Sequence, residues 1–339
     1  MTRELTPIDP DVALNQYLQS RQSELADASL RAHKDRLRLF VQWCEENNVR
    51  TIDELSPRDL HDFSTWRQQG IKQDGISVET LRSALLTLRV FLRFCVSIDA
   101  ADPELPERIV LPTSATRSRD VMLEADDAEA ILEHLNKYEY ASDQHVMMLI
   151  MWHTGIRAGS LRALDVEDVL EDKQALRIRH RPDSGTPLKN GTEANRLVAI
   201  SADVLDVILD HIDRRDIVSD NGRTPLIATA QGRRSRQSIR ANSYYWSVPC
   251  RRGECPHERD INDCEATSWK GAAKCPSSRS THPIRRGAIT HHLKEGTPVP
   301  AASDRMDVTP AVLEEHYSRL DESEAMERRR EFLPGNDDE

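Results

Sequence analysis

The amino-acid sequence predicts a mainly α-helical protein with a small β-hairpin, in which an N-terminal four-helix domain precedes an α+β domain. Three observations support this fold class. Apolar residues recur at intervals of three, four and seven in most long segments, as on the buried face of a helix. Two short alternating segments flank Asn190-Gly191, which is a hairpin signal. Residues 101–122 contain three prolines and no periodicity, which is typical of a linker.

The N-terminal domain is predicted to span residues 11–100, after a polar tail at residues 1–10. Ser29, Ser56 and Ser77 each precede an apolar-periodic segment. A serine hydroxyl at such a position accepts a hydrogen bond from the first turn of a helix. Four helices joined by short loops are therefore expected in this domain.

The second domain is predicted to span residues 123–320, and a charged tail follows at residues 321–339. Within this domain, strands are expected at residues 176–180 and 196–201, on either side of the hairpin turn. The length of 339 residues is sufficient for two domains with separate cores.

The composition favours a cytoplasmic protein. The sequence contains no apolar run long enough to cross a bilayer, and its first residues lack the apolar core of a signal peptide. The six cysteines are spread unevenly, which argues against a secreted disulfide framework. Cys44 and Cys95 lie alone within helical patterns and are interpreted as small buried residues.

A histidine and an arginine share the start of one predicted helix, and a tyrosine lies on a later helix. The first helix carries His282 and Arg285 and ends near Gly296, and the second begins at Thr309 and carries Tyr317. A phenol has a pKa of about 10, so its attack on a phosphodiester requires removal of its proton and cations around the phosphorus. Arginine supplies such a cation with a planar fork of donors. Taken alone, these residues are more often a polar helix start and a half-buried core tyrosine.

The ordered set of motifs resembles that of the tyrosine recombinases, or phage-type integrases. Thr154-Gly155-Ile156-Arg157 comes first, and Lys189 follows in the hairpin. The pair His282-x-x-Arg285 and the terminal Tyr317 complete the set, at the separation usual in that family. The resemblance implies a core-binding (SAM-like) N-terminal domain and a tyrosine-recombinase catalytic domain.

The resemblance also implies a role for each of these residues. Arg157 and Arg285 would clamp the scissile phosphate of double-stranded DNA. Tyr317 would attack the phosphorus with help from His282, and Lys189 would protonate the leaving 5′ oxygen. The implied function is site-specific recombination through a 3′-phosphotyrosyl intermediate (integration, excision or resolution), by a homo-tetramer on DNA and with no cofactor for catalysis. A type IB topoisomerase-like enzyme and a catalytically inactive DNA-binding regulator remain alternatives.

Two positions depart from the family pattern. An acid commonly lies three residues after the first arginine, whereas this chain has Ser160, which leaves open what orients Arg157. A histidine or tryptophan usually lies nine residues before the nucleophile, whereas this chain has Val308. Arg305 and His316 are candidates to compensate for Val308.

Positive charge is concentrated in one segment of an acidic chain. The formal net charge is −11 at pH 7, yet residues 231–253 contain no acid. Because DNA binding depends on the local field, this segment is predicted to face phosphates, with a solvated loop as the alternative. An acidic remainder around a basic face resembles haloarchaeal integrases. The predicted DNA-binding residues are Arg233, Arg234, Arg236, Arg240, Arg251 and Arg252.

Five thiol or imidazole side chains follow in a long polar segment at residues 250–275. A segment with so few apolar residues cannot be ordered by burial alone, which favours a structural zinc ion held by four of the five. Disulfides and free thiols are the alternatives. The candidate ligands are Cys250, Cys255, His257, Cys264 and Cys275.

Overall fold

A computed structural model describes residues 5–69, 75–113, 121–215, 219, 222–317 and 326 of the chain. The chain divides into two compact units, Met1–Asp120 and Val121–Glu339, and each unit has its own apolar core. Among the described residues, no helix has both the length and the apolar character needed to cross a membrane.

The first unit contains the four predicted helices. Their bounds are Pro10–Ser20 (α1), Asp27–Glu46 (α2), Pro57–Gln69 (α3) and Val78–Ser97 (α4). Aromatic rings form the centre of the core, where Phe40 meets Phe63 edge to face at 5.1 Å. Ser77 caps α4 as predicted, because its hydroxyl accepts from the Thr80 amide at 3.3 Å. The N-cap predicted for α2 at Ser29 is wrong, because the N-cap is Ala26, three residues earlier.

Part of the predicted linker packs onto the first core. Leu105 and Ile109 are buried there, and a short 3₁₀ turn spans Leu105–Arg108. The Arg89 guanidinium donates to the Ile109 carbonyl at 2.5 Å and fixes the segment to α4. The linker is therefore shorter than residues 101–122, and residues 114–120 lie outside the described chain. Cys44 and Cys95 are buried as predicted, and burial raises the pKa of each thiol to about 12.

Helices also dominate the second unit. Their bounds are Ala125–Tyr138 (α5), Asp143–Thr154 (α6), Ala158–Ala163 (α7), Ala202–Arg214 (α8), Arg236–Trp246 (α9), Thr281–Lys294 (α10), Val299–Met306 (α11) and Pro310–Tyr317 (α12). The core surrounds α6, whose residues are buried on nearly every side. Helix α11 lies between Gly296 and Thr309, where the sequence had predicted no helix.

A small sheet carries the predicted hairpin. Its strands are Val169–Leu170 (β1), Ala175–Ile178 (β2) and Arg196–Ala199 (β3), paired antiparallel in the order β1-β2-β3. A second antiparallel pair joins Ala228–Thr229 (β4) to Gly232–Arg233 (β5). Strands β2 and β3 confirm the hairpin, although each is shorter than predicted. Strand β1 was missed, because two residues cannot display an alternating pattern.

Close packing fixes α10 against the start of the second unit. A Cβ atom added at Gly287 would lie 1.9 Å from the Leu123 carbonyl oxygen, so only glycine permits this approach. The Leu123 amide in turn donates to the Pro283 carbonyl at 3.2 Å. On α10, the His291 ring stacks on Trp152 of α6 at 5.3 Å. Helices α6 and α10 therefore form a rigid frame for the side chains near Gly155 and His282.

Candidate active site

The end of α6 places Arg157. Gly155 has a φ of +60°, the left-handed conformation that glycine adopts readily, and the helix stops there. The Thr154 hydroxyl donates back to the Ile150 carbonyl at 2.5 Å and closes the last turn. The next residue, Ile156, is buried, and Arg157 then stands at the N-cap of α7. The Thr-Gly-Ile-Arg sequence thus turns the chain so that this arginine leaves the core.

Arg285 lies deep in the protein, on the first turns of α10. Its residue is 5% exposed, and its Nη1 donates to the Gly155 carbonyl at 2.6 Å. Burial, together with the charges of Arg157 and Arg196, lowers the pKa of this guanidinium to about 9. A buried guanidinium that lies near other positive charges is stabilised when an anion binds beside it. This position suits a phosphate oxygen.

Asp307 is the carboxylate of this cluster. It forms an ion pair with the Arg157 guanidinium, and its Oδ1 accepts from the Asn190 side-chain amide at 2.8 Å. Its backbone carbonyl accepts from Arg285 Nη2 at 3.2 Å. Asp307 therefore connects both arginines to the loop that carries Lys189. This role could not be predicted from the sequence, because Asp307 is 150 residues from Arg157 and belongs to none of the motifs.

The charges of three predicted catalytic residues act on His282. Partial desolvation lowers the pKa of its ring, although the residue as a whole is exposed, and nearby positive charges add to this effect. These charges belong to Arg286, Arg285, Lys189 and Arg157, in decreasing order. Lys189 itself is solvent-exposed in the β2–β3 connection. The charges of Arg157 and Lys189, from two other segments of the second unit, thus act on α10, which carries both His282 and Arg285.

Helix α12, which carries Tyr317, packs against α10 and α11. Leu313, one turn earlier on α12, is buried in a small cluster with Ile289 and Leu293 of α10 and with Met306 of α11. Tyr317 is the last residue of the helix. Its side chain lies outside the described part of the structure, as does the predicted tail at residues 321–339 apart from residue 326.

Val308 supplies no side-chain donor to the site. Its side chain packs partly buried against the cluster around Met306, and its carbonyl accepts from the Ser303 hydroxyl at 2.7 Å. Arg305 donates to the carbonyls of Ala199 and His153, at 2.7 and 2.9 Å. Its donors therefore hold the fold together. The other candidate is His316, whose side chain lies outside the described part of the structure.

Arg196 is a further cation that the sequence analysis missed. It begins β3, and its Nε and Nη1 donate to the carbonyls of Arg305 and Ala194, each at 2.9 Å. Burial lowers its pKa, and the Asp307 charge raises it in part. Its Nη2 is buried without a hydrogen-bond partner in the described structure. A single arginine at the start of a strand has no motif, so only the fold reveals it.

Two of the six predicted DNA-binding arginines are exposed on α9. Arg240 lies beside the Tyr244 ring and donates to its hydroxyl at 3.2 Å. Arg236 donates to the Pro187 carbonyl at 3.1 Å, two residues from Lys189. A Cβ atom added at Gly159 would lie 3.1 Å from Arg236 Nη2, so this guanidinium rests on the helix that follows Arg157.

The other four arginines are used within the protein. The Arg233 side chain is 2% exposed and pairs with Asp165 at 2.6 Å. Arg234 pairs with Asp143 at 2.9 Å. The remaining two follow α9, where Arg251 lies 3.2 Å from the centre of the Tyr245 ring and Arg252 donates to the Trp246 carbonyl at 2.7 Å. Of the six predicted DNA-binding arginines, all of which lie in the described part of the chain, Arg236 and Arg240 are the two that are exposed.

The cysteine-rich segment folds around a small apolar cluster. Cys250, Cys264 and Cys275 belong to it, and the Cys255 side chain is hydrogen-bonded to Cys250. All four are free thiols. Burial raises the pKa of Cys250, as do the neighbouring Cys255, Cys275 and Cys264 thiols. Nevertheless, no group of three or more His, Cys, Asp or Glu side chains within the described ranges is arranged to hold a metal ion.

The described side-chain hydrogen bond of His257 is to a serine and not to one of the four thiols. Its Nε2 is 2.9 Å from the Ser277 hydroxyl oxygen. The backbone N–H groups of Arg259 and His257 donate to the Cys255 sulfur and lower its pKa, with a smaller contribution from the Arg259 charge. Lowering of a thiol pKa favours the thiolate, which is the form that binds metals.

Comparison with known proteins gives two family matches. Residues 122–322 match the Phage integrase family, and residues 14–97 match the Phage integrase N-terminal SAM-like domain. Tyrosine recombinase XerD of Oceanobacillus iheyensis is 25% identical over 148 residues, which are 43% of this chain and 48% of that protein. The match thus spans about half the length of this relative.

Solved structures resemble the whole chain in fold. The Tn1549 transposon integrase in complex with circular intermediate DNA has a TM-score of 0.70 at 12% identity, covering 96% of this chain and 100% of that one. A lambda integrase tetramer bound to a Holliday junction has a TM-score of 0.62 at 13% identity, covering 89% of this chain and 78% of that one. At such identities the likeness concerns the fold alone.

Proposed function

The chain belongs to the phage integrase family, and from that premise we propose that it is a site-specific DNA recombinase of the tyrosine class. One observation carries the proposal most directly. The charges of Arg157, Lys189 and Arg285 act on His282, and the four residues come from three segments, which are the start of α7, the β2–β3 connection and α10. Three cations and an imidazole around one point match the needs of a phosphodiester in its transition state, where charge spreads over the non-bridging oxygens.

Arg157 and Arg285 would bind the non-bridging oxygens of the scissile phosphate. The Tyr317 phenol oxygen then attacks phosphorus, so that a phosphorus–tyrosine bond forms while the bond to the 5′ oxygen breaks. The phenol proton passes toward His282, which is neutral at pH 7 because its pKa is lowered from 6.5. Lys189 delivers a proton to the leaving 5′ oxygen, a task for which lysine is suited because its proton is removable.

The product is a covalent 3′-phosphotyrosyl link and a free 5′ hydroxyl. Because the covalent link conserves the energy of the phosphodiester, rejoining needs no ATP. Exchange between two duplexes requires four active sites, so we propose a homo-tetramer on double-stranded DNA, acting in the cytoplasm. Arg236 and Arg240 are the exposed arginines suited to contact the phosphates beside the scissile position.

We further propose a structural zinc ion in the cysteine-rich segment, with Cys250, Cys255, Cys264 and Cys275 as the four ligands. Cys250, Cys264 and Cys275 share one apolar cluster, and the Cys255 side chain is hydrogen-bonded to Cys250, which supports this set. The hydrogen bond of His257 to Ser277 argues against the fifth candidate. A bound zinc ion would offset the mutual repulsion of the thiolate forms of these cysteines.

Metal analysis of the purified chain tests the zinc proposal. We expect about one zinc per chain, a lower content in Cys275→Ser, and full content in His257→Gln as the matched control. Less than about half a zinc per chain in the unaltered protein, with cysteines that react freely with a thiol reagent, would remove the proposal.

A suicide-substrate assay tests the recombinase proposal. The protein is incubated with nicked DNA from its own genomic neighbourhood, and a denaturing gel is examined for a covalent adduct. We expect an adduct with the unaltered chain and none with Tyr317→Phe, because loss of a nucleophile lowers turnover by about 10⁴-fold or more. Strong binding without any adduct would instead favour the inactive DNA-binding regulator. Relaxation of any plasmid without a required site would favour the topoisomerase-like enzyme.

A further inference from the structure

The structure suggests which group orients Arg157 in the absence of an acid at position 160. Ser160 is buried on α7, and its amide donates to the Arg157 carbonyl at 2.8 Å. The serine thus belongs to the start of the helix and offers no charge to the guanidinium. Asp307 instead reaches Arg157 from the end of α11 and forms an ion pair with it.

The local fold holds Asp307 in place. Its φ is +53°, a left-handed conformation that aspartate tolerates better than most side chains. Just before it, Met306 packs against Gly155, where an added Cβ would lie 3.1 Å from the sulfur. The turn that ends α6 and the turn that ends α11 therefore face each other. The Arg157–Asp307 contact crosses between these two turns.

The Asp307 carboxylate has two partners. One oxygen accepts a hydrogen bond from Arg157 Nη1, and the other accepts one from the Asn190 side-chain amide at 2.8 Å. Asn190 directly follows Lys189, so the same carboxylate also fixes the loop of the proposed general acid. The Asp307 side chain is 15% exposed, and that of Arg157 is 25% exposed, so water screens this pair less than it would at the surface.

We propose that Asp307 is a positioning residue for the cleavage step, which rests on the recombinase function proposed above. Its carboxylate fixes the Arg157 guanidinium through Nη1 and leaves the other donors of the fork for the scissile phosphate. Through Asn190 it also keeps the Lys189 loop at the site. The opposite role is competition, in which the carboxylate occupies the place of the phosphate and DNA must displace it.

Asp307→Asn separates these roles, because the amide retains the shape and removes the charge. We expect the single-turnover cleavage rate to fall by about 10–100-fold, since misplacement of a clamp by 1 Å has effects of that order. DNA affinity should stay within about twofold and the melting temperature should not change. Asp304→Asn is the matched control, as an exposed acid on the same helix, and should cleave at the normal rate. Tighter DNA binding with undiminished cleavage would overturn the positioning role in favour of competition.

A second readout does not depend on catalysis. In ¹⁵N spectra of arginine side chains, we expect hindered rotation of the Arg157 guanidinium in the unaltered chain and in Asp304→Asn. This hindrance should disappear in Asp307→Asn, with Arg157→Lys used to assign the signal. An identical Arg157 signal in both asparagine variants would contradict the proposal. If the unaltered chain forms no covalent adduct but Asp307 still restrains Arg157, the recombinase function fails and the structural contact stands.

Discussion

Two groups of arginines in the second unit differ in how their charges are balanced. In the first group, Arg181 donates to both oxygens of Asp168, at 2.8 and 2.7 Å, and this bonding raises its pKa. Arg223 and Arg233 similarly donate to Asp165. Both aspartates of this group are 0% exposed. The carboxylate charges therefore stabilise these guanidiniums inside the protein.

The second group is the candidate active site, where the pKa of the buried arginine moves in the opposite direction. The pKa of Arg285 is lowered to about 9 by burial and by the charges of Arg157 and Arg196. Its described hydrogen bonds go to backbone carbonyls rather than to a carboxylate. Arginine content alone therefore does not identify a DNA-binding surface. A guanidinium paired with an internal carboxylate supports the fold, whereas one opposed by like charges is suited to bind an anion.

Asp165→Asn should have the largest effect on stability. The substitution retains the size of the side chain but leaves Arg223 and Arg233 buried without the charge that balances them. We expect the free energy of unfolding to fall by about 3–5 kcal/mol, as measured by chemical denaturation. A loss below about 1 kcal/mol, the value of an exposed ion pair, would contradict a structural role for this group.

Arg157→Ala should affect catalysis and spare the fold. We expect the single-turnover cleavage rate to fall by about 10²–10³-fold, because a donor to the transition state is lost. The free energy of unfolding should change by less than about 1 kcal/mol, since the pair with Asp307 is partly exposed. The control is Arg214→Ala, an exposed arginine on α8, which should cleave normally. Equal losses in both variants would show that arginine removal acts non-specifically.

Arg236→Ala and Arg240→Ala should weaken DNA binding in a salt-dependent manner. Each lost phosphate contact should reduce the slope of log affinity against log salt by about 0.9. Arg234→Ala is the matched control, because that arginine lies two residues before Arg236 and is paired with Asp143. Its slope should be unchanged. A similar reduction in all three variants would mean that α9 and the preceding strand bind DNA together.

The smallest predicted effect is the acid dependence of stability. Burial alone would raise the pKa of Asp168, but hydrogen bonds from Arg181 and Arg177 outweigh burial and lower it. Because the folded pKa lies below the unfolded value of about 3.9, the stabilisation is complete above that pH. It is lost as the pH falls through the folded pKa. Asp168→Asn should therefore reduce the fall in the free energy of unfolding as the pH is lowered. An unchanged pH dependence would mean that other carboxylates cause the loss of stability in acid.

Local signals in the sequence predicted much of the fold. Ser77 as a cap and Gly155 as a helix end each depend on residues that are neighbours in the chain. The β2–β3 pairing was predicted from the alternation of its strands, although residues 179–195 separate them. Helix α11 was missed because its eight residues bury only Ala302 and Met306, too few to display periodicity.

Contacts between distant residues limited the prediction of the site. Arg157, Lys189, His282 and Arg285 were predicted from motifs, whereas Asp307 and Arg196 belong to none. Arg233 was predicted to face DNA for the same reason, because its contact with a distant residue cannot be read from the sequence. Its partner Asp165 lies 68 residues earlier, and only the folded chain places them together. A local run of arginines therefore could not distinguish a surface guanidinium from one paired in the interior.

A paired measurement on Arg285→Ala and Arg233→Ala separates the phosphate-binding arginines from the structural ones. Both the free energy of unfolding and the cleavage rate per folded molecule are measured for each variant. We expect Arg285→Ala to retain stability to within about 1 kcal/mol and to cleave about 10²–10³-fold more slowly. Arg233→Ala should lose about 3–5 kcal/mol of stability and cleave normally once folded. Normal cleavage by Arg285→Ala, or equal destabilisation of both variants, would contradict the division between structural and phosphate-binding arginines.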